Sequence, residues 1–268
     1  MSQLKANPVA IITGSARGIG RRTAEVLAEK GYTVVLNDLS AADDTEKAAR
    51  KLGSEVMQVL ADVSNEKDVD EMADRVLERY GRVDVIVNNA GISMIASAVE
   101  TSPQQWRRVL DINLTGPFLL CRKFGPVMLR QRAGSIVNVA SVAGLTGIAD
   151  RAAYNASKHG LIGFTKTLAA EWGGFGVRCN AVCPAWVKTE MDLADQSGGA
   201  YTDEDICARV PMARFANPDD VAQAIAFLAD PKLSGYLNGH SLAIDGGWLS
   251  DGSWDSLRRR HRPKSRAS

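Results

Sequence analysis

The chain reads as a doubly wound α/β fold, with a seven-stranded, mostly parallel sheet and helices on both faces. Three observations predict it. Short apolar or β-branched runs alternate with longer helical patterns along the 268 residues, the arrangement that builds a sheet covered by helices. Runs such as Val85-Ile86-Val87 are continuously apolar, which suits strands buried on both faces. The composition, 45% hydrophobic and 24% charged, is that of an ordinary folded chain and argues against disorder, collagen-like repeats and a disulfide-stapled miniature.

The elements follow in order. Strands are expected at residues 9–12, 33–36, 56–60, 83–87, 135–139, 177–182 and 241–244, each a run rich in Val, Ile, Leu or Ala. Helices are expected at 20–30, 66–80, 106–130, 152–172 and 219–228. The last is opened by Asn217-Pro218, with Asp219 and Asp220 in its first turn. No internal repeat is visible. Residues 1–250 are expected to form one domain, a length routine for α/β folds. Residues 186–215 carry a weak pattern rich in polar and small residues and are expected to be an irregular substrate lid. Residues 251–268 form a C-terminal extension with a basic tail.

The 32 basic and 31 acidic residues nearly cancel. No apolar run approaches the roughly 18 residues that a membrane helix needs, and the first eight residues lack a signal-peptide core, so a cytoplasmic chain without membrane contact is expected. Arg258, Arg259, Arg260, Arg262, Lys264 and Arg266 cluster at the end without an acid. The tail reads as a solvated end, and because the rest of the chain is net acidic, no nucleic-acid partner is expected. Cys121, Cys179, Cys183 and Cys207 read as reduced, core-filling thiols. Their spacing, and that of His159, His240 and His261, matches no zinc site, so no metal is expected.

Chemistry enters at the first strand. It leads into Gly14, Arg17, Gly18, Ile19 and Gly20 and then a helix. A strand, Gly-rich turn and helix leave free N–H groups and a positive helix end where a pyrophosphate can sit. The G-x3-G-x-G spacing differs from G-x-G-x-x-G, and as a bare string it also fits an ordinary loop. Asp38 closes the second strand about 20 residues on, the separation at which an acid meets adenosine ribose hydroxyls. It favours NAD, since a carboxylate repels a 2′-phosphate. Arg17 points toward NADP, and Asp38 is weighted above it. By position, Asp62 and Val63 after the third strand suit adenine recognition, a helix cap being the alternative for Asp62. Tyr154 and Lys158, four apart in a helical pattern, share a face. A phenol beside an ammonium can exchange a proton with an alcohol or carbonyl near neutral pH; the same spacing also fits a surface packing pair.

Taken together, these residues resemble the short-chain dehydrogenase/reductase family over nearly the whole chain. The matches run in family order: Thr13-Gly14-x3-Gly18-Ile19-Gly20, Asp62-Val63, Asn88-Asn89-Ala90-Gly91, Asn113, Ser141, Tyr154-x3-Lys158 and Pro184 through Thr189. The resemblance implies a Rossmann-type fold and a set of roles. Tyr154 is the proton donor or acceptor and Ser141 hydrogen-bonds the substrate oxygen. Lys158 binds the nicotinamide ribose and lowers the Tyr154 pKa, and Asn113 supports a water-linked proton relay. Asn89, Pro184, Val187 and Thr189 are implied cofactor contacts. The family usually has Gly after Pro184; Ala185 is strained there if the position needs a positive φ.

The expected activity is interconversion of a secondary alcohol and a ketone with NAD, oxidation being the expected direction. Glu190, Asp192, Asp195, Asp203, Glu204 and Asp205 on the lid disfavour a strongly anionic substrate, so a neutral polyol or sugar is expected. Met94, Ile148, Trp186 and Met191 are candidates for shaping the pocket. Two alternatives stay open: a 3-oxoacyl-carrier-protein reductase using NADPH, and a non-catalytic dinucleotide sensor. The resemblance also implies a homotetramer or homodimer.

Overall fold

A computed structural model describes residues 7–199 and 201–260 of the chain. The elements run β1 (Val9–Thr13), α1 (Gly18–Glu29), β2 (Thr33–Asp38), α2 (Asp43–Lys51), β3 (Val56–Leu60), α3 (Glu66–Tyr80), β4 (Val85–Asn88), α4 (Pro103–Leu110), α5 (Gly116–Gln131), β5 (Gly134–Val139), α6 (Ala152–Trp172), β6 (Val177–Pro184), α7 (Glu190–Ser197), α8 (Asp203–Arg209), α9 (Pro218–Ala229) and β7 (Ser241–Ile244). The seven strands form one sheet in the order β3-β2-β1-β4-β5-β6-β7. Every pairing is parallel. The chain steps outward from β1 in one direction and then restarts at β4 on the other side. At that reversal the loops beyond the strands' carboxyl ends diverge and leave a crevice.

Alternate residues of each strand feed different cores. Val9, Ile11 and Val35 pack with Met72 and Val76 of α3 and Leu120, Phe124 and Met128 of α5. Ala10, Ile12, Val34 and Leu36 pack on the other face with Leu27 of α1 and Val221 and Ile225 of α9. The period-2 alternation of strand side chains thus makes two cores from one sheet. Helix starts are fixed locally. Ser102 accepts from Gln105 N–H and Asn217 from Asp220 N–H, each in a reciprocal cap followed by Pro at the first helical turn. Asn65 caps α3, which stops at Gly81 in the left-handed region.

Three expectations need revision. The single helix expected at 106–130 is split by a five-residue π-helical turn, Asp111–Thr115. Pro117 begins the following segment and Gly116 lies against Val63; wide turns of this kind re-aim a side chain, here Asn113. The polar α2 was not expected, because it buries only Thr45 and Ala49 and so shows almost no apolar period. The segment 186–215, expected to be irregular, holds α7 and α8, whose buried residues are Asp192 and Ile206. Capping, with Thr202 and Asp205 bonding reciprocally at the start of α8, defines these helices more than apolar patterning does.

Residues 1–6 and 261–268, where the absence of an export signal and most of the basic tail were read, lie outside the described residues. Among the described residues, no helix is long and apolar enough to cross a membrane. Cys121, Cys179 and Cys183 are buried thiols, and Cys207 is half-buried.

Candidate active site

The crevice at the reversal is an open cleft of about 340 Å³, within the roughly 300–1,000 Å³ of small-ligand pockets. Its floor begins at the Gly-rich turn. Gly14 sits at φ +64°, and a Cβ there would lie 3.0 Å from Ala90 Cα. The backbone is therefore exposed where an L side chain would be strained and crowded. Gly20 is buried in the first turn of α1, where a Cβ would come 2.0 Å from Gly14 O. Gly20→Ala must push the turn away from α1. It is expected to cost about 3 kcal/mol or more and to abolish dinucleotide binding, read as a lowered thermal midpoint and lost NADH fluorescence.

Asn89 holds this turn against the sheet. Its amide donates to Thr13 O at 2.8 Å and Gly14 O at 3.0 Å, while its N–H donates to Thr13 Oγ1. The side chain thus builds the cradle from behind. Thr189, the residue before α7, lies over the other wall: a Cβ on Gly18 would be 3.5 Å from Thr189 Cγ2. Free N–H groups at the α1 N-terminus, an uncrowded Gly14 and exposed Arg17 at the rim fit a dinucleotide's phosphates.

Asp38 ends β2 at the cleft, its Oδ2 accepting from Ala16 N–H at 2.9 Å and its Oδ1 from Leu39 N–H at 2.8 Å. Asp62 is engaged by its neighbours: Oδ1 accepts from Ser64 N–H and Oγ–H, and Oδ2 faces Arg108 at 3.3 Å. Burial raises its carboxyl, but the Ser64 bonds and Arg108 outweigh that and hold it below the ordinary carboxylate value. Asp62 is not the cap of α3, which is Asn65; its carboxylate closes a turn onto Ser64, and the residue and Val63 both line the cleft.

At the centre of the cleft β5 and α6 bring Ser141, Tyr154 and Lys158 together. Ser141 Oγ accepts from Ala143 N–H at 3.1 Å and lies 3.4 Å from Pro184 O. The Ser141 hydroxyl is near enough to the Tyr154 phenol to favour its ionised form. Lys158, 4% exposed, donates to Val139 O at 2.8 Å, and its Nζ is 5.6 Å from the Tyr154 ring centroid. Burial pulls this ammonium down to about 8. Asn113 is buried behind them. Its Oδ1 accepts from Ile92 N–H at 2.9 Å, and its Nδ2 donates to Ile92 O and Ser157 Oγ. Of the residues singled out in the sequence, Asn113 and Gly20 do not line the cleft; the other fourteen do.

Burial pushes the Tyr154 phenol above its ordinary value; the nearby Ser141 hydroxyl and the Arg151 charge pull it down, and Asp195 pushes it up again. Lys158, which the resemblance implies lowers it, keeps its Nζ 5.6 Å from the ring centroid while donating to Val139 O. Arg151 is a second cation beside the phenol, its Cζ 5.9 Å from the ring centroid. Ala185 avoids the left-handed region, so the expected strain does not arise; its N–H extends the ladder to Ile244 O at 3.1 Å. Trp186 packs edge-on against Trp248 at 5.2 Å while lining the cleft.

Sequence reasoning missed Ser93, Arg151 and Tyr201. They meet the lid acids in one polar wall. Arg151 donates to Ser93 Oγ at 2.5 Å and to Asp195 Oδ2 at 3.0 Å, and Ser93 donates to Asp195 Oδ2 at 3.1 Å. The Tyr201 hydroxyl donates to Asp192 Oδ1 at 2.9 Å. These residues come from four segments, so no spacing announces them. The one local signal was Arg151 lying one helical turn before Tyr154.

Comparison with known proteins agrees with this geometry. A family model described as enoyl-(acyl carrier protein) reductase matches residues 14–249. A 3-oxoacyl-[acyl-carrier-protein] reductase of Synechocystis sp. is 39% identical over 244 residues, covering 90% of this chain and 96% of that protein. D-threitol dehydrogenase of Mycolicibacterium smegmatis is 40% identical over 243 residues, covering 90% and 92%. Among solved structures, ElxO with NADP bound superposes with a TM-score of 0.84 at 30% identity, covering 91% of this chain and 100% of that one.

Proposed function

The chain belongs to the short-chain dehydrogenase/reductase family, and on that premise we propose an NAD-dependent oxidoreductase that interconverts a secondary alcohol and a ketone, acting on a neutral polyol or sugar. The observation that carries the reaction is that Ser141, Tyr154 and Lys158 line one cleft, with Lys158 buried and its Nζ 5.6 Å from the Tyr154 ring centroid. The Gly14 to Ile19 turn, Asp38, Val63, Pro184, Val187 and Thr189 would hold the dinucleotide. Bound there, its nicotinamide supplies or accepts the hydride.

The protein's own task is one proton. In reduction the Tyr154 hydroxyl donates its proton to the ketone oxygen, which Ser141 Oγ–H orients. In oxidation the Tyr154 phenolate takes the proton of the substrate hydroxyl. Lys158 stands where it can hydrogen-bond a ribose, and Asn113 fixes the Ile92 loop and the Ser157 hydroxyl behind it.

The carboxylate of Asp38 at the ribose end supports NAD over NADP. The polar wall and the 40% identical D-threitol dehydrogenase support a hydroxylated substrate. A second reading, a 3-oxoacyl-carrier-protein reductase using NADPH, is favoured by Arg17 at the rim and by the 39% identical reductase.

The pH profile tests the proton assignment. Because the phenol is held above its ordinary value near 10, Tyr154 is protonated at neutral pH and ready to donate. Oxidation needs the phenolate, so kcat/KM for alcohol oxidation should rise steadily from pH 7 to pH 10, while ketone reduction stays level or falls. A rise of both together, or a level oxidation profile, contradicts this assignment.

A further inference from the structure

The wall beside Tyr154 is a built hydrogen-bonding surface. The Arg151 side chain is 11% exposed and that of Asp195 16%, and Arg151 Cζ lies 5.9 Å from the Tyr154 ring centroid. Asp150, at φ +57°, turns the chain into α6, and its carbonyl accepts from Ala96 N–H at 2.8 Å. Arg151 is therefore fixed at its backbone as well as by Ser93 and Asp195. One turn earlier on α7, nearly buried Asp192 is held by Tyr201, Gln196 and Lys188.

We infer that Arg151, oriented by Asp195 and Ser93, determines specificity by binding a second hydroxyl on the carbon next to the reacting one, so that the enzyme selects vicinal diols and their hydroxyketones. This rests on the function proposed above and narrows its substrate class. The guanidinium carries five donors in a fixed fork. It gives one N–H to Ser93 and one to Asp195, and the group lines the cleft beside the Tyr154 ring, within reach of a substrate held there. A hydroxyl can accept from Arg151 and donate to the Asp195 carboxylate. An alkyl group in its place would shield this ion pair from water and return no bond. Sites that hydrogen-bond a substrate hydroxyl discriminate strongly against the analogue lacking it.

The test compares 2,3-butanediol with 2-butanol, which share a carbon skeleton, using NAD and the whole chain, with reduction of a 3-oxoacyl thioester by NADH or NADPH assayed in parallel. The diol is expected to exceed the monoalcohol in kcat/KM by about 100-fold or more. In Arg151→Met the ratio should fall below about 10-fold, with NADH binding retained as the check on folding. Ser93→Ala and Asp195→Asn should lower the same ratio less. A merely structural Arg151 would slow both alcohols alike, and an unchanged ratio in all three variants, or no diol preference in the parent chain, overturns the inference alone. Reduction of the thioester with neither alcohol oxidised overturns the substrate class proposed above, and the inference with it.

Discussion

Tyr154→Phe loses about 10²- to 10⁴-fold in turnover, the range for removing a positioned general acid or base. The phenylalanine keeps the ring in its buried site, so packing and dinucleotide affinity are retained. What disappears is the hydroxyl beside Ser141 in the cleft and with it the proton that our mechanism transfers. Steady-state turnover and NADH fluorescence, measured on the same preparation, separate the effects. Lost turnover with intact binding is the expected pair of results; retained turnover would move the proton to another group.

Asp38→Asn moves coenzyme preference toward NADP. The asparagine keeps an acceptor for the Ala16 N–H, 2.9 Å from Oδ2 in the parent, so the β2 end should hold its shape. Only the charge is removed. Two like charges about 4 Å apart repel by about 1 kcal/mol in water and about 4 kcal/mol at an effective dielectric of about 20. Asp38 sits between those limits at the cleft rim, so the NAD/NADP ratio of kcat/KM should fall by between about 5-fold and about 1,000-fold. An unchanged ratio would mean that Arg17 at the same rim, and not Asp38, governs the choice.

Much of this was legible in the chain. Strand 56–60 and helices 66–80 and 152–172 coincide with the structure; in 66–80 the apolar face, the Asn65 cap and the Gly81 stop agree. The Gly-rich turn, Asp38 and the Tyr154 to Lys158 pair could be placed because each depends on short spacing. What escaped depended on contacts distant in sequence. The split at Asp111–Thr115 follows from Asn113 bonding Ile92, 21 residues away. Spacing puts Lys158 on the same face as Tyr154 but cannot reveal that its Nζ also donates to Val139 O. Arg151, Ser93, Asp195 and Tyr201 meet only after folding, and their polar wall carries the information about substrate that the motifs lack.

The most direct test is the appearance of reduced nicotinamide when the chain is mixed with NAD and a panel of polyols, sugars and hydroxy acids, with Tyr154→Phe alongside. The account predicts tyrosine-dependent reduction of NAD by at least one secondary alcohol of the panel. Turnover that survives in Tyr154→Phe, or silence across the panel with both NAD and NADP while NADH still binds, would contradict it.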